Sequence, residues 1–106
     1  MKNWMRSLVV LTAVICVTTA MSFAASPGEP VFKAHCQACH GATGTPNAGI
    51  AKMLGVKPVS DPSMKKLTAA EMITAVTNGK GKMPSFKGKL SDAQIKDAVS
   101  YFRTLK

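Results

Sequence analysis

Cysteine, histidine and acidic residues are all scarce in this sequence, and no strand pattern is present. Cysteine occurs three times, at Cys16, Cys36 and Cys39, and histidine twice, at His35 and His40. A structural zinc site would want a second ligand pair, and a thioredoxin-like pair would want a βαβ pattern; neither is available. No segment sustains the period-two alternation of a strand, and there is no internal repeat or low-complexity tract. The class is therefore all-α with long loops. Acidic residues number five against fourteen lysines and arginines over 106 residues, a net charge of +9.

Residues 1–24 carry the three parts of a secretory leader. Lys2 and Arg6 form a positive start, an uncharged apolar run extends from Leu8 to about Thr19, and small residues close it around Ser22-Phe23-Ala24-Ala25. Cleavage after Ala24 is expected, giving residues 25–106 as the working domain and an exported, periplasmic location. The uncharged run from Ser7 to Gly28 also reaches the ~20 residues that span a bilayer, so a retained anchor stands as the alternative. Ile15 is too large for a lipoprotein signal ahead of Cys16, which is expected to leave with the leader. Without Lys2 and Arg6, twelve basic residues face five acidic ones, or +7. An exported chain with scattered lysines is a poor match for nucleic acid and a good one for an anionic protein surface.

A domain of this size has a small apolar core and usually needs a staple. The chain predicts one helix from Pro30 through Cys39, since Pro30 is tolerated in a first turn. From Gly41 to about Pro58 the Gly, Pro, Thr and Asn content predicts an extended loop. Asp61-Pro62 can open a brief helical turn. Two later helices start with paired signals: Thr68 with Glu71 and Leu67 with Met72, then Ser91 with Gln94 and Leu90 with Ile95, each a capping box plus a hydrophobic staple. The first should stop at Asn78-Gly79, whose residues suit a left-handed end. In the second, Ile95, Ala98, Val99, Phe102 and Leu105 recur at helical spacing to the end of the chain.

Cys36-Gln37-Ala38-Cys39-His40 has the spacing of covalent haem attachment. Positions three and four apart share a helical face, so two thiols can meet two vinyl groups while the imidazole of His40 reaches the iron. A disulfide between Cys36 and Cys39 is the rival in an oxidising compartment. One covalent haem c would also be the missing staple, with Phe32, Leu54, Met72, Phe86, Val99 and Phe102 as expected walls. His35 points about 100° away around a helix and is not expected to ligate.

A sixth iron ligand decides between electron transfer and small-molecule chemistry. Met72 belongs to a helix staple, and Met53 and Met64 lie in weakly patterned segments where methionine fills gaps. Met83 sits in the loop Gly79-Lys80-Gly81-Lys82-Met83-Pro84-Ser85-Phe86, where Gly81 permits close approach, Pro84 fixes the following backbone and Phe86 can cover the iron. Met83 is thus the expected partner of His40 on the metal.

With these residues in place, the chain resembles a class I monohaem cytochrome c of the small bacterial type. The resemblance rests on Gly28 and Phe32 ahead of Cys36-Gln37-Ala38-Cys39-His40, on Met83-Pro84, and on the final helix with Tyr101. It implies that the first and last helices cross at Gly28, Phe32 and Tyr101, that Met83 is the axial ligand, and that the Pro46 carbonyl orients His40. It also implies a small cytochrome c fold of three to four helices with long loops around the haem. The one tryptophan, Trp4, lies in the leader, so a tryptophan contact to a propionate is absent. The expected function is carrying single electrons as a monomer, not enzymatic. Partners would be redox proteins with acidic docking surfaces, met transiently in the periplasm or at membrane complexes. Lys80, Lys82, Lys87 and Lys89 around Met83 are the expected docking charges. An open iron site serving catalysis or gas sensing, or a subunit tethered by its leader, remain as alternatives.

Overall fold

Residues 26–106 are described by the computed structural model, so the expected leader, with Cys16, lies outside the described residues. Six helical segments follow in order: α1 (Gly28–His35), α2 (Gln37–His40), α3 (Ala48–Leu54), α4 (Pro62–Lys65), α5 (Ala69–Asn78) and α6 (Asp92–Phe102). Among the described residues there is no strand, only isolated bridges at Lys80–Met83 and Lys87–Leu90.

The frame is the crossing of α1 and α6, with α5 packed against α6. Gly28 is buried at that crossing, where a Cβ would collide with the carbonyl group of Asp97. Because glycine has no Cβ, the two backbones can touch. One turn on, Phe32 is 1% exposed, with its ring 5.3 Å from that of Tyr101 and 5.9 Å from that of Phe102. The crossing implied by the resemblance is therefore formed. The buried residues of α6 are Ile95, Ala98, Val99 and Phe102, four of the five expected from the periodicity, with Leu105 half-buried beyond the helix end.

Both capping boxes form as the sequence predicts. Thr68 Oγ1 accepts from Glu71 N at 3.1 Å and Ser91 Oγ accepts from Gln94 N at 3.1 Å, while the Glu71 and Gln94 side chains accept in return from the Thr68 and Ser91 amides. Asp61 likewise caps α4, accepting from Ser63 N at 2.9 Å. Gly79 ends α5 at φ 78 but ψ 161, an extended turn outside the left-handed helical region.

Two expectations are corrected. The first helix does not run unbroken to Cys39: Cys36, at φ −118, interrupts it and starts α2. The segment after Gly41 is not all loop, since Asn47 Oδ1 accepts from Ile50 N at 2.8 Å and Gly55 closes α3 in the left-handed conformation. None of the α3 residues is fully buried, and its apolar positions, Ile50, Met53 and Leu54, span little more than one turn, too short a run to stand out from the Gly- and Pro-rich composition around it.

Candidate functional site

The break at Cys36 compacts the motif. Its carbonyl accepts from Cys39 N at 3.2 Å and from His40 N at 2.9 Å, which draws Cys36, Cys39 and His40 into one turn. Both cysteines are half-buried and are not joined to each other as a disulfide. Burial pushes the Cys36 thiol above its ordinary pKa, with Cys39 adding to the rise.

Cys36 and His40 line an apolar cleft of ≈ 90 Å³, bounded by α1, α5, α6 and the loop after α5. Phe32, Met72, Val99 and Phe102 line it as expected. Leu54 and Phe86 do not. Leu54 stays on α3, and the Phe86 ring lies 6.3 Å from that of His35, with its backbone tied to Val76 O. In their place Met64, Leu67, Ala75 and Val76 contribute. Ala75 and Val76 follow Met72 by three and four residues on α5, so helical spacing could have found them. Met64 carried no such signal.

His40 fits a metal-bearing cofactor. Its ring packs edge-on against Phe102 at 5.3 Å, burial pushes its pKa below the ordinary imidazole value, and its Nδ1 is buried with no hydrogen-bond partner. A buried polar atom left unpaired costs about 1–3 kcal/mol, and neutral imidazole is a good ligand for iron. The bond to the Pro46 carbonyl that the resemblance implies is not formed. Instead the loop doubles back so that the Thr45 carbonyl lies against Gly41, and Pro46 is buried behind it.

Four methionines separate cleanly. Met53 is 64% exposed and outside the cleft. Met72 lines it, but its Sδ lies 3.7 Å from the Arg103 guanidinium, itself fixed to the Leu67 carbonyl at 2.7 Å. Met64 lines the cleft while packing on the core of Phe32, Val59, Met72, Val99 and Phe102. Met83 lines the cleft from the loop without joining that core. His35 is exposed and outside the cleft, as expected. Among the described residues, no group of three or more His, Cys, Asp or Glu side chains could hold a metal ion.

The family described as "Cytochrome C oxidase, cbb3-type, subunit III" matches residues 23–102. Cytochrome c6 of Leptolyngbya boryana is 43% identical over 80 residues, covering 73% of this chain and 87% of that protein. Cytochrome c6 of Cyanidioschyzon merolae is 34% identical over 99 residues, covering 92% and 91%. Among solved structures, the KustC0563 c-type cytochrome superposes with a TM-score of 0.67 at 28% identity, over 74% of this chain and 96% of that one.

Proposed function

The chain belongs to the small monohaem class I cytochromes c, electron carriers with one covalent haem c and not enzymes, and from that premise we propose how its own residues do the carrying. Cys36 and Cys39 would hold the haem through thioethers, and His40 and Met83 would be the side chains that bind its iron. When bound, the haem supplies an iron that exchanges one electron between ferric and ferrous states. The observation that carries this reading is that His40 and Met83 line one apolar cleft that also contains Cys36. Met64 is the other methionine with access, but it is engaged in the core, whereas Met83 is held on a loop and its thioether is uncommitted.

The surrounding side chains set the working conditions. Phe32, Val99 and Phe102 keep water from the cleft, and an apolar site disfavours the more charged ferric state, which raises the potential. With both iron-binding side chains supplied by the chain, His40 and Met83 would not need to exchange on transfer, so little rearrangement would accompany it. Residues 1–24 direct export to the periplasm, and none of the helices among the described residues is long and apolar enough to cross a membrane. The partners are redox proteins with acidic surfaces. Lys80, Lys87 and Lys89 are exposed beside the Met83 loop for that purpose, while Lys82 is held by a backbone carbonyl.

The test is a set of absorption spectra on haem-matured protein. Acidic acetone should leave the colour on the chain, and the ferric protein should show the long-wavelength methionine-to-iron band. Met83→Ala should abolish that band and let ferrous protein bind carbon monoxide readily, while Met53→Ala and Met64→Ala should keep it. Loss in Met64→Ala with retention in Met83→Ala would transfer the ligand role to Met64.

A further inference from the structure

The turn that carries Met83 is fastened unevenly. On the α5 side it is pinned by Ser85 Oγ donating to Thr77 O at 2.6 Å, Phe86 N to Val76 O at 3.0 Å and Lys87 N to Thr77 O at 3.2 Å. Its own ends are joined by Lys80 N to Met83 O at 3.1 Å and Met83 N to Lys80 O at 2.9 Å. Toward the other side, a single hydrogen bond among the described residues leaves the turn. Lys82 Nζ, beside Gly81 at the tip, donates to the Met53 carbonyl at 2.8 Å, across 29 positions of sequence.

The acceptor is suited to a cation. Met53 lies in the last turn of α3, where carbonyls have no partner within the helix and the helix dipole is negative. An ammonium there makes a charge-assisted bond. Helix α3 buries none of its residues fully, and on the side facing α3 the Met83 turn stays apart from the core. A surface lysine pair is ordinarily worth little. This one differs because it is the hydrogen bond that ties the turn to α3, across 29 positions of sequence.

We propose that Lys82 is a positioning residue for the sixth iron ligand: by clasping the C-terminal carbonyl of α3 it keeps the Met83 turn closed over the cleft and the thioether on the iron. The inference rests on Met83 being that ligand. Breaking the clasp raises the population of open turn, and the change is local because the α5-side bonds remain.

Carbon monoxide uptake by the ferrous holoprotein reads that open population, since the gas binds only where the thioether has left. Lys82→Leu should speed uptake about three- to tenfold, equivalent to about 0.7–1.4 kcal/mol of opening free energy. Lys82→Arg should restore the slow rate, and Lys80→Leu, which removes a neighbouring lysine with no side-chain bond in the structure, should match the parent. Hydrogen exchange at the amides of α3 should quicken in Lys82→Leu but not in Lys82→Arg or Lys80→Leu. Asn47→Ala, which removes the α3 cap, should speed uptake in the same direction and serves if Lys82→Leu matures poorly. Absence of the methionine band from the unaltered ferric protein would remove the ligation reading itself. A band present with equal uptake rates in Lys82→Leu and Lys80→Leu, or an unchanged rate in Asn47→Ala, would overturn the clasp and leave the ligation standing.

Discussion

Replacing Gly28 by alanine sets two physical effects against each other. Alanine in a helix is favoured over glycine by about 0.5–1 kcal/mol, and less than that at a first helical position, so local propensity favours a more stable protein. The added methyl, however, would overlap the Asp97 carbonyl and come within 2.9 Å of Ala98 N. Restoring an ordinary separation of about 3.5–4.0 Å requires α1 and α6 to part by roughly 1–2 Å. That movement loosens Phe32 from Tyr101 and Phe102, and overpacking of this kind costs typically 1–3 kcal/mol. Sterics therefore prevail, with a net loss of about 1–3 kcal/mol. In urea, with a slope of about 1–3 kcal/mol per molar, the midpoint should fall by around 1 M, followed both by circular dichroism and by haem absorbance. Gly49→Ala supplies the opposite case. That position is exposed inside α3, and its new methyl would meet only Asn47 Oδ1 at 3.5 Å, so it should stabilise α3 by about 0.5–1 kcal/mol. A Gly28→Ala protein as stable as the parent would refute the close crossing of α1 and α6.

The double replacement Ser91→Ala with Gln94→Ala should cost roughly 1–2 kcal/mol of stability by thermal melting while leaving the haem spectrum intact; a spectral change at unaltered stability would mean that the start of α6 touches the iron site. Asp61 is held below the usual carboxylate pKa by the Ser63 hydroxyl at 2.6 Å and then by the Ser63 amide at 2.9 Å, so its contribution is complete above the unfolded-state pKa and disappears as pH falls through the lower folded value. Asp61→Asn, which retains a cap without the charge, should flatten that part of the acid titration of stability, and an identical acid profile in both proteins would show that the pairing carries no folding linkage. Converting Lys80, Lys87 and Lys89 to glutamine should slow electron transfer to an acidic partner and weaken its salt dependence, because the screening length shrinks from about 10 Å at 0.1 M to about 3 Å at 1 M salt. Equal effects from Lys65 and Lys66 would place docking elsewhere.

What the amino-acid sequence determined by itself was everything that short-range chemistry dictates. Capping boxes at Thr68 and Ser91, the Asp61 turn, the buried face of α6 and the Cys36–His40 motif all act within about one helical turn, so neighbouring residues suffice to specify them. Packing decided the rest. Helix α3 escaped notice because its apolar positions span little more than one turn inside a Gly- and Pro-rich stretch, and Phe86 left the expected wall because its ring packs toward His35, far away in sequence. Met64 and Met72 both reach the cleft, and long-range contacts are what engage them there: the Arg103 guanidinium beside the Met72 sulfur, and the core against Met64. The bond between Lys82 and Met53 lies beyond any local rule as well. Its two ends are 29 residues apart, and which carbonyl a flexible lysine finds depends on how the intervening chain has folded.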